Sequence, residues 1–429
     1  MKIDRAETLH FRGRVVEIAG TIIRAKVPGV RVGDLCELVK FESGHRIPAE
    51  IVGVENDIAI LTPLGQMQGL STLTEVIPKG EPLLVPVGET LLGRIVDGLG
   101  RPLDESTLGP LIAEAHVPAH NNALGALKRR VVSQPFPVGV RAIDGLLTCG
   151  EGQRIGIFAA AGAGKSTLLS MLVRGAAVDV NVIALIGERG REVQEFVQDI
   201  QSQGRGSRSI FVVATSDRPA MERAKAAYVA TALAEWFRDK SQRVLLVMDS
   251  LTRFARAQRE IGLAAGEFPA RRGFPPSVFA NLPQLLERPG NSDRGSITAF
   301  YTVLVEGDDM TEPVADEALS ILDGHIVLSR SLAMSNHYPP IDILTSTSRI
   351  MSRVVSPQHQ EMARTMRVLL ANYQELEVLI QVGDYKKGAD PDADEAVAKI
   401  DGIRRFLRQS TREQISFEAM LSELQTCLS

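Results

Sequence analysis

The chain has 429 residues, 44% hydrophobic and 23% charged, with a formal net charge of −4. That is the composition of a folded globular protein, and it excludes a disordered or fibrous chain. The length predicts two or three domains, and the slightly acidic balance supplies no general attraction to nucleic acid or anionic lipid.

The N-terminal stretch from Met1 to Arg14 is interspersed with charges and has no apolar signal-peptide region, and no apolar run reaches the length of a membrane span. Cys36, Cys149 and Cys427 stand far apart, which fits a reducing cytosol better than a disulfide framework. The seven histidines form no metal-ligand spacing, so no transition metal is expected. From Gly13 to about Val87, short apolar segments alternate with Gly and Pro: Arg14–Ile18, Thr21–Val27, Leu35–Val39, Glu50–Val54 and Ile58–Leu61. Closely spaced strands of this kind predict a small β-barrel over residues 1–87. Gly93 to Pro137 reads as a connecting segment.

Past Arg154 the pattern changes. Apolar strands at Ile155–Phe158, Val182–Ile186, Ile210–Ala214, Val244–Met248 and Thr298–Leu304 alternate with helical segments such as Lys165–Ala177. Strand–helix alternation predicts a parallel sheet covered on both faces, with its ligand at the carboxyl ends of the strands. Linker and α/β domain together take residues 88–356. From 357 to 429 the chain reads as helical, with core-facing stripes at Phe417, Met420, Leu421, Leu424 and Leu428 and at Ala396, Ile400, Ile403 and Phe406.

The chemistry begins directly after Ile155–Phe158. Ala159 to Thr167 ends in Gly164, Lys165, Ser166 and Thr167 at the start of a helix, the context of a phosphate-binding loop. Gly162, Ala163 and Gly164 bring backbone N–H groups to phosphate oxygens, Lys165 reaches the β- and γ-phosphates, and the Ser166 hydroxyl can ligate Mg²⁺. The usual first glycine is Ala159, which fits if its backbone stays extended. Asp249 ends the strand Val244–Met248, where a carboxylate supports Mg²⁺ or caps the next helix. Glu188, just past the strand Val182–Ile186, either polarises the attacking water or is an acidic residue favoured by a helix N-terminus.

Together with Gly187-Glu188-Arg189, Val247-Met248-Asp249-Ser250-Leu251-Thr252-Arg253, and Tyr338-Pro339-Pro340-Ile341-Asp342 through Ser346-Thr347-Ser348-Arg349, this loop resembles the catalytic subunits of the rotary ATP synthase group. Pro269 to Phe279 and Leu285 to Gly290 are similar to its type III secretion export ATPases. The resemblance runs over nearly the whole chain and implies an α/β architecture: an N-terminal barrel, a RecA-like parallel nucleotide-binding domain and a C-terminal helical domain.

The resemblance implies a Mg²⁺-dependent ATPase driving type III protein secretion by releasing and unfolding chaperone-bound substrates. The flagellar export ATPase is the nearest alternative and a hexameric nucleic-acid motor a more distant one. ATP would lie on Gly162–Thr167 with Tyr338 packed on adenine, although a Tyr before two prolines equally suits a buried turn. Lys165 and Ser166 would serve nucleotide and Mg²⁺, Glu188 the water with Arg189 beside it, and Asp249 the Mg²⁺. Arg349 would be offered to the γ-phosphate by a neighbouring subunit. Homohexamerisation is then required, with barrels as a collar. Arg271 and Arg272 belong either to a pore loop or to a solvated charge pair. The implied partners are a stator, a central stalk, chaperone-bound substrates and an export gate, at the cytoplasmic face of the inner membrane. Nucleic acid is not among them. Few residues precede the first strand, so the stator contact is the least supported.

Overall fold

The structure, a computed structural model, describes residues 11–306, 309–388 and 390–429. The charged stretch 1–10, on which the expected lack of a signal-peptide region rests, lies outside the described residues.

Six strands, β1 (Gly13–Ala19), β2 (Ile22–Lys26), β3 (Leu35–Val39), β4 (Arg46–Glu55), β5 (Ile58–Pro63) and β6 (Glu75–Pro78), close into a barrel in the order β1-β2-β5-β4-β3-β6. Alternation builds it. In β3 the side chains of Cys36 and Leu38 point into a core with Ile23, Ile51, Leu61 and Val76 while their neighbours stay partly exposed.

After the barrel, β7 (Leu84–Val87) pairs with β9 (Ala115–Pro118). Between them β8 (Ile95–Asp97) joins the main sheet beside β12, with Ile95 opposite Phe211. The segment expected to be only a connection thus contributes an edge strand. A strand this short has no periodicity of its own and is defined by its partner.

The remaining strands are β10 (Arg154–Ala159), β11 (Val180–Ile186), β12 (Ser209–Ala214), β13 (Arg243–Asp249), β14 (Gly290–Asn291), β15 (Ser296–Leu304), β16 (Gly324–Leu328) and β17 (Ile341–Ser348). The sheet runs β17-β16-β10-β15-β13-β11-β12-β8, with β14 paired to β15. The central strands are parallel, whereas β17 is antiparallel to β16 at the edge. Every residue of β11 is buried, as expected when helices cover both faces. One cover is the helix Ala220–Asp239, whose Ala224, Ala227, Ala230 and Ala234 let it lie close to the sheet. On the opposite face the phosphate-loop helix Lys165–Gly175 shares a core with the C-terminal helices Pro357–Val382, Pro391–Leu407 and Phe417–Leu428 through Met366, Ile403, Phe406, Met420 and Leu424. Each such side chain, fully buried, contributes about 1.5–3 kcal/mol. Among the described residues no helix is long and apolar enough to cross a membrane.

Candidate functional site

β10, β13 and β11 are parallel, so their carboxyl ends face one crevice. At the end of β10 the chain turns through Gly162 and Gly164, with φ of 79° and 81°, a left-handed region open to glycine at little cost. Ala159 lies within β10 and is extended, which removes the need for glycine there. The loop delivers Lys165 as the first residue of its helix.

Lys165 meets both candidate carboxylates. Its Nζ donates to Glu188 Oε1 at 3.0 Å and to Asp249 Oδ1 at 2.6 Å. Burial weighs against the ammonium charge, but Asp249 and Glu188 outweigh it and hold the lysine above its usual range. Burial pushes the Asp249 carboxyl up, against the pull of Lys165 and the Thr302 hydroxyl. The helix after Asp249 is capped by Ser250, which accepts from the Arg253 N–H at 3.2 Å, so Asp249 is not the cap. Likewise the helix Gly190–Ser202 has no side-chain cap, and Glu188 is engaged with Lys165 instead. A cleft of about 830 Å³ opens beside Ser166 and Thr167, bordered by Arg174, Phe196 and, from the C-terminal part, Arg412. Glu192, Glu195 and Asp199 also line it, whereas Lys165, Glu188, Asp249 and Tyr338 do not, so this cleft adjoins the phosphate-loop helix on the side away from the lysine–carboxylate cluster.

Three stretches match known families: residues 15–80 the ATP synthase alpha/beta family beta-barrel domain, 139–348 its nucleotide-binding domain, and 355–426 the T3SS EscN ATPase C-terminal domain. A Type 3 secretion system ATPase of Xanthomonas euvesicatoria is 55% identical over 412 residues, covering 96% of this chain and 93% of the relative. The chain belongs to the type III secretion ATPases of the ATP synthase alpha/beta family. The Flagellum-specific ATP synthase of Bacillus subtilis is 47% identical over 428 residues, 98% of this chain and 96% of its own. The assembled ATPase EscN from enteropathogenic E. coli superposes with a TM-score of 0.93 at 47% identity, covering 97% of this chain and 100% of EscN. EscN in complex with its central stalk EscO gives 0.89 at the same identity and coverage.

In this secretion ATPase Tyr338 also reaches the loop: a Cβ added at Gly164 would lie 3.4 Å from its Cε1. Two expected residues are not brought to the cluster. The Arg189 side chain is 83% exposed and pairs with Glu192 at 3.3 Å. Arg349 lies past β17, where its N–H donates to Asp323 O at 3.1 Å and its guanidinium to Leu319 O at 3.0 Å. Asp323 in turn accepts the Arg154 N–H at 3.1 Å, at the start of β10. The length of β10 therefore separates Arg349 from its own phosphate loop, about 17 Å along the strand. Arg271 and Arg272, both exposed, pair with Asp316 at 3.0 Å and Asp309 at 3.1 Å.

Sequence reading missed two members. Thr302 donates to Asp249 Oδ1 at 2.7 Å from inside β15, a hydroxyl in an otherwise largely apolar strand. Arg253 packs its stem against Gly187, within 3.0–3.2 Å of a Cβ added there, and its buried Nε has no hydrogen-bond partner among the described residues. The signal was available, because an arginine four residues after a strand-end aspartate lies in the first turn of the following helix.

Proposed function

We propose that the chain is a Mg²⁺-dependent ATP hydrolase working as a homohexamer at the cytoplasmic face of an inner-membrane export apparatus. It releases type III secretion substrates from their chaperones and unfolds them for export. The observation that carries the hydrolytic reading is Lys165 shared between Glu188 and Asp249 at adjoining strand ends.

A triphosphate seated on the N–H groups of Gly162 to Thr167 brings oxygens that compete with both carboxylates for the Lys165 ammonium. As Lys165 turns to the β- and γ-phosphates, Glu188 is released to orient the attacking water and accept its proton. Mg²⁺, when bound, neutralises charge on the β- and γ-oxygens. The Ser166 hydroxyl and the Asp249 carboxylate would hold it. They form a hard-oxygen pair suited to a cation whose other ligands are water and substrate phosphate. The described residues contain no group of three or more His, Cys, Asp or Glu that could enclose a metal alone, consistent with a site completed by its substrate. Tyr338 packs on the base, and Arg349 of one subunit serves the γ-phosphate of its neighbour.

In this reading residues 1–87 form a collar, 88–356 the engine, and 357–429 the side that meets partners. The relative EscN has been solved assembled and with a central stalk, which supports a ring and a stalk protein here. A stator, chaperone-bound substrates and the export gate complete the partner set. Purified Lys165→Ala is expected to be folded and inactive, and chelation of Mg²⁺ to stop the wild type reversibly. Undiminished turnover in Lys165→Ala overturns the site. Release of a chaperone-bound substrate at equal rates with and without ATP overturns the role in export.

A further inference from the structure

A buried amide just past the helix Pro391–Leu407 joins three parts of the molecule on which the nucleotide pocket depends. Gln409 is 3% exposed. Its Nε2 donates to Gly139 O at 2.7 Å and to Glu413 O at 3.1 Å, and its Oε1 accepts the Arg141 N–H at 2.9 Å. A backbone carbonyl can only accept and a backbone N–H only donate, so the amide has one possible orientation and both its donors are used. The Gln409 backbone N–H donates to Tyr338 O at 2.8 Å.

The surface on which that amide sits is itself fixed to the phosphate-loop helix. A Cβ on Gly175, the last residue of that helix, would come 1.9 Å from Val138 O, and one on Gly139 would lie 3.3 Å from the Gly175 Cα. Buried Asp144 accepts the Val138 and Gly139 N–H groups at 2.9 and 2.8 Å. The loop Val138–Val140 is thus held from beneath by a carboxylate and pressed from the side by the helix that begins at Lys165. Gln409 grips this platform with its side chain and the Tyr338 carbonyl with its backbone. Gln409 therefore ties the Tyr338 backbone to the platform packed on the phosphate-loop helix, in addition to the direct approach of Tyr338 and Pro340 to Gly164.

We propose that Gln409 is a positioning residue that fixes the base-side wall of the nucleotide pocket, governing affinity for the nucleoside portion of ATP while leaving the triphosphate portion alone. The proposal rests on the reading of Tyr338 as the side chain that packs on adenine. A glutamine that merely stabilised the fold would affect every ligand of the pocket alike.

Inorganic tripolyphosphate separates the two roles, because it can occupy the phosphate loop without touching Tyr338. Calorimetric binding to the full chain compares ATP with tripolyphosphate for wild type, Gln409→Ala and Gln409→Glu. Gln409→Glu keeps the volume and the acceptor for Arg141 but turns a carboxylate on the Gly139 and Glu413 carbonyls, so it tests the same bonds without opening a cavity. Both variants should weaken ATP about tenfold, the scale of one to two buried hydrogen bonds. They should leave tripolyphosphate within about twofold, and KM for ATP should rise while kcat at saturation holds within about twofold. Parallel losses for both ligands, or unchanged ATP affinity in both variants, overturn the proposal. Tyr338→Ala identifies which inference failed. Wild-type ATP affinity in that variant removes the base-packing reading and this proposal with it, whereas a loss there without one at Gln409 removes the positioning role alone.

Discussion

Lys165, Glu188 and Asp249 place one positive and two negative charges in a largely buried pocket. A buried charge without its partner is destabilising by several kcal/mol, so the two carboxylates hold the lysine in place, and in the proposed cycle phosphate oxygens take it from them. This argument assigns different outcomes to the two acids. Glu188→Gln keeps an acceptor for Lys165 and the volume of the side chain but cannot take a proton from water. It should bind ATP within a few-fold of wild type and lower kcat by about 10²–10⁴, measured by nucleotide binding beside single-turnover hydrolysis. A loss of binding alone would mean that Glu188 serves the ligand and not the water. Thr302 acts on Asp249 from behind, through the 2.7 Å hydrogen bond to Oδ1. Thr302→Val removes that donor while keeping the shape, and the Mg²⁺ concentration for half-maximal rate should rise about tenfold, as for other residues that orient a metal ligand. An unchanged Mg²⁺ requirement would confine Thr302 to packing.

The connection from β16 to β17, which meets the C-terminal helices, carries a titratable group. His337, 6% exposed, lies beside Arg404 of the helix Pro391–Leu407, and its pKa is lowered to about 4 by burial, then by Arg408 and Arg404. In the unfolded chain the imidazole returns to its ordinary value near 6.5. Between about pH 4 and 6.5 the unfolded state binds the additional proton, so stability falls as the pH drops through that window and is retained above it. His337→Gln should flatten the pH dependence of denaturant unfolding there by up to about 1.4 kcal/mol per pH unit relative to wild type. Identical slopes would show that the imidazole does not titrate on unfolding. What the sequence discloses follows the same division by element. The first five barrel strands and β10, β11, β12, β13 and β15 were legible because burial on one or both faces imposes a period or a solid apolar run, whereas the four-residue β6 was not. The order of the sheet and the antiparallel β17 were not, since pairing is decided between residues far apart in the chain. That Lys165, Glu188 and Asp249 converge was legible because each stands at or just past a strand end or opens a helix. Thr302 was not, because its partner is 53 residues away. Arg189 follows Glu188 directly, yet the extended backbone at Arg189 (φ −73°, ψ 140°) sends its side chain to Glu192.

Sheet polarity decides what the whole molecule needs. Within one chain Arg349 stands at the start of β10 and the phosphate loop at its end, on opposite ends of the same sheet. No rotation of an arginine side chain closes that separation, so any contact of Arg349 with a γ-phosphate has to cross to another copy. A head-to-tail ring provides this, each subunit presenting its Arg349 end to the phosphate-loop end of the next. Arg349→Ala and Lys165→Ala should each abolish turnover, the former by about 10³–10⁵ where an arginine supplies transition-state charge. Mixed in equal amounts and allowed to assemble, they should recover activity, because a Lys165→Ala subunit still carries its arginine and an Arg349→Ala subunit its intact cradle. With random assembly of a head-to-tail ring, about one junction in four pairs an intact cradle with an intact arginine, so independent sites would give about a quarter of the wild-type rate. Mixed rings, verified by differently tagged subunits, that stay inactive would rule out an arginine acting across the junction, and full activity of Arg349→Ala alone would do the same.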